Sequence, residues 1–132
     1  MTRTRHDDSG QVTAFVVILT AALLLLFALV FEGGTALATR SRALSLAQEA
    51  ARAGAQEIDL AAYRAGDSVR LTPRPARHAA RTFLTQAGAE GTVQVNGDTV
   101  TVTARLDHTF TLLPLGTRSL QATATARPHT TP

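Results

Sequence analysis

Val12-Thr-Ala-Phe-Val-Val-Ile-Leu-Thr-Ala-Ala-Leu-Leu-Leu-Leu-Phe-Ala-Leu-Val-Phe31 is a run of twenty residues without a charge, a Pro or a Gly. Wound as a helix it extends about 30 Å, the thickness of a bilayer hydrocarbon core. Its only polar side chains, Thr13 and Thr20, can return a hydrogen bond to the carbonyls of the preceding turn, so nothing in the run resists insertion. It reads as a transmembrane helix, residues 12–31, in a chain that crosses the membrane once. The mean hydropathy of +0.07 conceals this, because the apolar residues are concentrated at one end.

Upstream lies a short tail, residues 1–11, in which Arg3 and Arg5 balance Asp7 and Asp8. Downstream, Glu32, Arg40 and Arg42 flank the other end, so the charge bias across the span is nearly even. The short tail and the C-terminal bulk favour a cytoplasmic N-terminus and an extracytoplasmic head. A competing reading takes residues 1–38 as a cleaved signal peptide, with Ala36-Leu37-Ala38 as the small-x-small site. Signal cores run about 7–15 residues and this one is longer, which favours a retained anchor.

The 132-residue chain has no Cys, excluding disulfides, thiolate metal sites and a thiol nucleophile. All of its thirteen basic residues are Arg, and the net charge of +3 is spread out. The densest stretch, Arg64, Arg70, Arg74, Arg77 and Arg81, has only Tyr63 and Phe83 as aromatic neighbours. That pattern reads as a solvated helix face, so no nucleic-acid partner is expected.

After Phe31 the pair Gly33-Gly34 can loosen the helix, but helix-forming residues resume from Thr35 to Ala62. One long helix, with residues 32–65 extending from the membrane, is the simplest reading. Ala43, Ala47, Ala50 and Gly54 stand at i, i+4, i+7 and i+11, a small-residue stripe on which another element can pack closely. Leu37, Leu44, Ala51 and Ile58 mark a second apolar stripe at seven-residue spacing.

Residues 66–75, with Gly66, Asp67, Pro73 and Pro75, read as a linker. A short amphipathic helix is expected over Ala76 to Ala87, capped by Gly88. From Thr92 the period changes to two: Val93 and Val95, the turn Asn96-Gly97-Asp98, then Val100, Val102, Ala104 and Leu106, with Thr99, Thr101, Thr103 and Arg105 as the outward row. A third strand is expected around Thr109 to Leu113 and a fourth from Ser119 to Ala126. The fold class is α+β: a transmembrane helix continuing into a long amphipathic helix, then a head at residues 76–127 in which the short helix covers a small antiparallel sheet, and a tail at 128–132.

No catalytic, cofactor or metal constellation is legible. His6, His78, His108 and His129 lack ligand spacing, and His108 beside Asp107 reads as an exposed polar position. There is no nucleophile elbow and no phosphate loop. Glu32, placed where the helix should leave the bilayer, is the one singular charge. It is either a simple interfacial residue or a contact to an Arg or the backbone of a partner helix.

Gly10-Gln11-Val12-Thr13-Ala14-Phe15, the apolar run, Glu32-Gly33 and the stretch Ala47-Gln48-Glu49-Ala50-Ala51-Arg52-Ala53-Gly54-Ala55 together resemble the TadE/TadG-like proteins of the tight-adherence (Flp) pilus machinery. The resemblance covers about residues 9 to 56. It implies a non-enzymatic, pseudopilin-like or minor-pilin-like protein of the bacterial cell membrane. Its implied partners are membrane lipid and pilus or secretion assembly proteins, a second copy of itself among the candidates. By the same analogy Gly10 precedes a prepilin-peptidase cut and Gln11 is the first mature residue. Pilin-like members carry a Glu five residues after the cut, a position held here by Phe15. That departure favours an uncleaved anchored accessory over a processed filament subunit.

Overall fold

A computed structural model describes residues 8–58, 64–66 and 70–129, with side chains from Gly10 onward. Its dominant element is α1 (Asp8–Ala55), 48 residues of unbroken helix. Leu- and Ala-rich sequence propagates helix well enough to carry Gly33 and Gly34 without a break. Within the apolar run the Thr20 hydroxyl donates to the Val16 carbonyl at 2.8 Å, internalising its polarity as a lipid-facing helix requires.

The helix α1 ends at Ala55. Gln56 and Glu57 close its last turn by donating to the Arg52 and Gly54 carbonyls, and Ile58 then forms an antiparallel bridge with Leu71. Ile58 is β-branched, and its backbone is more useful in that bridge than in another helical turn. The remainder of the helix expected to Ala62, residues 59–62, lies outside the described residues, as do Asp67 in the linker and the ends of both tails.

The second helix, α2 (Pro73–Gln86), starts three residues before the expected Ala76. Pro73 and Pro75, expected to break a helix, instead sit in its first turn, where their missing N–H groups have no intrahelical partner to lose. The helix closes as Ala87 N–H donates to Phe83 and Gly88 N–H to Thr85, with Gly88 at a φ of 70°.

Three strands follow, β1 (Glu90–Asn96), β2 (Thr99–Thr109) and β3 (Thr117–Ala126), in the order β1-β2-β3, all antiparallel. The β1–β2 register pairs Asn96 with Thr99 across a two-residue turn. Gly97 takes a φ of 61° there while Asp98 does not turn positive, as in type II′ hairpins. The separate strand expected at 109–113 does not form. β2 runs on past Leu106 to Thr109, and Phe110 to Gly116 make a loop closed by the Phe110 N–H donating to the Gly116 carbonyl at 3.0 Å. The sheet therefore has three strands.

Val93, Val95, Val100, Val102 and Ala104 are buried on the inner face. The outer face carries threonine pairs, Thr103 with Thr123 at 2.8 Å and Thr109 with Thr117 at 2.9 Å. The cover of the sheet is shared. The short helix α2 buries Ala76, Ala80 and Leu84 over β1, while α1 lies across β2 and β3. Within α1, Ala43, Ala47, Ala50 and Ala51 are fully buried and Ala55 nearly so. Small side chains let the backbone of α1 approach closely, and a Cβ on Gly54 would stand 2.9 Å from the Ala76 carbonyl oxygen and 3.1 Å from Val100 Cγ1.

Candidate functional site

The buried face of α1 steps down the helix through Ala50, Ala47 and Ala43 to Thr39, Ala36, Thr35 and finally Glu32. Glu32 is the buried charged side chain of the described residues, at 2% exposure. It stands at the boundary between the covered and the bare halves of α1. An unpaired carboxylate in such a place is costly, so its partners decide its role.

Those partners are backbone groups of the β2–β3 loop. Glu32 Oε1 accepts the Thr111 N–H at 2.6 Å and the Leu112 N–H as well. Two N–H groups on one carboxylate oxygen form a charge-assisted clamp, stronger than a neutral hydrogen-bond pair. The other oxygen, Oε2, lies 4.0 Å from His108 Nε2.

His108 comes from the inner face of β2. It continues the alternation of Val100, Val102, Ala104 and Leu106, so its ring points at α1 and is only 11% exposed. The expectation of an exposed His108 is thus corrected by strand parity, which was readable once the strand was extended past Leu106. Its Nδ1 is 3.0 Å from Thr39 Oγ1, whose hydroxyl also bonds the Thr35 carbonyl at 3.1 Å. With that hydroxyl donating to the carbonyl, its lone pair receives the hydrogen on Nδ1. The Thr35 hydroxyl in turn donates to the Glu32 carbonyl at 2.9 Å. Phe110 closes the far side, its ring edge-on to His108 at 4.8 Å between centroids. Glu32, Thr35, Thr39 and His108 thus join α1 to the sheet through polar contacts where the small-residue packing ends.

The other sequence-derived positions are placed as follows. Ala43, Ala47, Ala50 and Gly54 face the chain's own head, so this stripe is already occupied. On the second stripe Ala51 is buried, whereas Leu37 and Leu44 remain exposed because they lie to the side of the sheet. Gly10 and Gln11 are exposed in the first turns of α1, and Phe15 is exposed on the apolar run. Glu32 meets backbone, but of its own chain. Thr111 and Leu112 had no signal in the sequence, because they contribute only main-chain N–H groups.

The arrangement clamps and positions the β2–β3 loop and His108 against α1. Among the described residues no group of three or more His, Asp or Glu could hold a metal ion. Among the described residues one helix is long and apolar enough to cross a membrane.

No curated protein and no solved structure matches the chain. The Tad family model, described as Flp pilus-assembly TadE/G-like, matches residues 10–57. That interval begins at the Gly10-Gln11 pair, takes in the whole apolar run and Glu32, and ends just past the last turn of α1. Over residues 10–57, then, the chain is similar to the TadE/G-like Flp pilus-assembly family.

Proposed function

We propose that the protein is an uncleaved, membrane-anchored accessory or pseudopilin-like component of a Flp/Tad-type pilus or secretion assembly. It acts by helix packing and protein–protein contact, with its N-terminus cytoplasmic and its head on the extracytoplasmic side. The observation that carries this reading is the coincidence of the family match with one continuous helix, Asp8–Ala55, that is bare along its membrane half and built into the head along the other. Such a helix has its inner half free for lipid or for neighbouring membrane helices, while its outer half fixes where the head sits.

The signal-peptide alternative fits this architecture poorly. A cut after Ala38 would remove Thr35 and Glu32, and with them the acceptor for the Thr111 and Leu112 N–H groups. It would also sever α1 within the segment that covers the sheet.

Intact-mass and N-terminal analysis of the protein from native membranes tests the reading. An N-terminus upstream of Gly10 is the expected result. A start at Gln11 would replace the accessory role by that of a processed pilin, and a start at Thr39 in a soluble extracellular fraction would overturn the anchor. Co-purification with pilus assembly proteins under pilus-forming conditions is expected, and its absence would remove the assembly role.

A further inference from the structure

We infer that the β2–β3 loop, Phe110-Thr-Leu-Leu-Pro-Leu-Gly116, is a second membrane contact, dipping its leucines into the acyl-chain edge of the bilayer beside α1. The inference rests on the apolar run Val12–Phe31 being the bilayer-embedded part of α1. Four observations place the loop there.

The first is depth. Glu32 is the first charged residue after the apolar run, and its carboxylate holds the Thr111 and Leu112 N–H groups. Helical side chains lean toward the helix N-terminus, so this clamp draws the loop back over the apolar run. The second is a footprint. From Gly10 to Phe31 every described residue is exposed except Ala28, which lies one turn before Glu32 on the same face. Ala14, Ala21 and Ala22 are equally small and stay exposed, so small size alone does not account for the cover over Ala28.

The third is chemistry. From Thr109 to Thr117 the chain carries no charge. Leu112 and Leu115 are exposed at 53% and 48%, an unusual place for large apolar side chains at the tip of a hairpin. The fourth is the backbone. Non-helical chain at membrane depth is tolerated only where its polar groups are satisfied. The Phe110 N–H donates to Gly116, Thr111 and Leu112 donate to Glu32, Leu115 donates to Leu113 at 2.8 Å, and Pro114 has no N–H to satisfy.

The function of the contact is orientation. A single helix leaves the head free to rotate and tilt above the membrane, whereas a second point of insertion fixes which face looks outward. The Thr-lined outer face of the sheet is then held at a defined angle to the bilayer. Glu32 is the positioning residue of this contact.

The chain contains no Cys, so single labelling sites can be introduced into the full-length protein. Leu115→Cys, with Leu24→Cys in the span and Gln121→Cys on the outer sheet face as references, is labelled with a polarity-sensitive fluorophore. Each is reconstituted in vesicles of phosphatidylethanolamine and phosphatidylglycerol. The Leu115 label is expected to be quenched by a nitroxide near the headgroup end of the acyl chain and to be several-fold less accessible to iodide than the Gln121 label. If the Leu24 label is quenched by lipid nitroxides but the Leu115 label is as open to iodide as that at Gln121, the loop contact is wrong and the span stands. If the Leu24 label also escapes lipid nitroxides, the span reading fails and the loop contact falls with it. Shielding at Leu115 that is insensitive to lipid nitroxides and disappears on dilution with lipid would assign the loop to a second copy of the chain and overturn the proposal.

Discussion

From Gly10 to Phe31, α1 leaves every side chain but Ala28 exposed, whereas from Glu32 to Ala55 the same helix buries an entire face. Both halves are Ala-rich and both propagate helix without a break. What separates them is the complementary surface. The outer half meets Val100, Ala76, Ala80 and the inner face of β2 and β3, while among the described residues of the inner half only Ala28 is even partly covered. In the inner half large apolar side chains point in all directions, as suits lipid. In the outer half the buried face carries small residues, Ala43, Ala47, Ala50 and Gly54, because closeness of approach and not bulk is what the sheet requires. The polar cluster of Glu32, Thr35, Thr39 and His108 lies where one regime gives way to the other.

The contrast can be broken most severely by adding bulk to the two halves in turn. Gly54→Leu puts four carbons where even a Cβ meets the Ala76 carbonyl oxygen at 2.9 Å. The expected loss is about 3 kcal/mol, from overpacking. Ala21→Leu, on the exposed half, should leave stability within about 0.5 kcal/mol. Denaturant melts of both variants in detergent micelles check the difference, and equal effects would mean that the head does not rest on α1.

At the junction, Glu32→Ala strips the acceptor from two N–H groups and should cost about 2–3 kcal/mol. Glu32→Gln keeps one acceptor oxygen in place and should cost about half as much. Hydrogen exchange gives a local readout: Thr111 and Leu112 should lose protection in the Ala variant before the sheet does. Uniform loss across the head would show that Glu32 acts on global stability and does not hold the loop.

The smallest effect belongs to the surface furthest from α1. Thr103→Ala removes the 2.8 Å hydroxyl contact to Thr123 on the outer sheet face and should cost about 0.5 kcal/mol. A markedly larger value by the same melts would mean that this face is part of the folding core.

Much of the molecule was legible in advance because it depends on local period. The apolar run, the hairpin around Asn96-Gly97-Asp98 and the strand near Ser119 each have a spacing that admits one backbone. The errors have a common origin in tertiary partners. Thr109 to Leu113 alternates well enough for a strand, but two of its N–H groups go to Glu32, 79 and 80 residues away in sequence. The helix stops at Ala55 because Ile58 finds Leu71. His108 is inward because β2 runs eleven residues without interruption.

By itself, then, the sequence determined that there is one apolar helix of spanning length, that a small-residue face follows it, and that a period-two region builds a sheet. These are consequences of nearest-neighbour chemistry repeated along the chain. Only the tertiary structure decided that the small-residue face is spent on the chain's own head, and that Glu32 binds the chain's own loop. Both outcomes depend on surfaces assembled from distant segments. The carboxylate of Glu32 was visible as a singular charge, but its acceptor role could not be read, because the donors are main-chain N–H groups that every residue but Pro possesses.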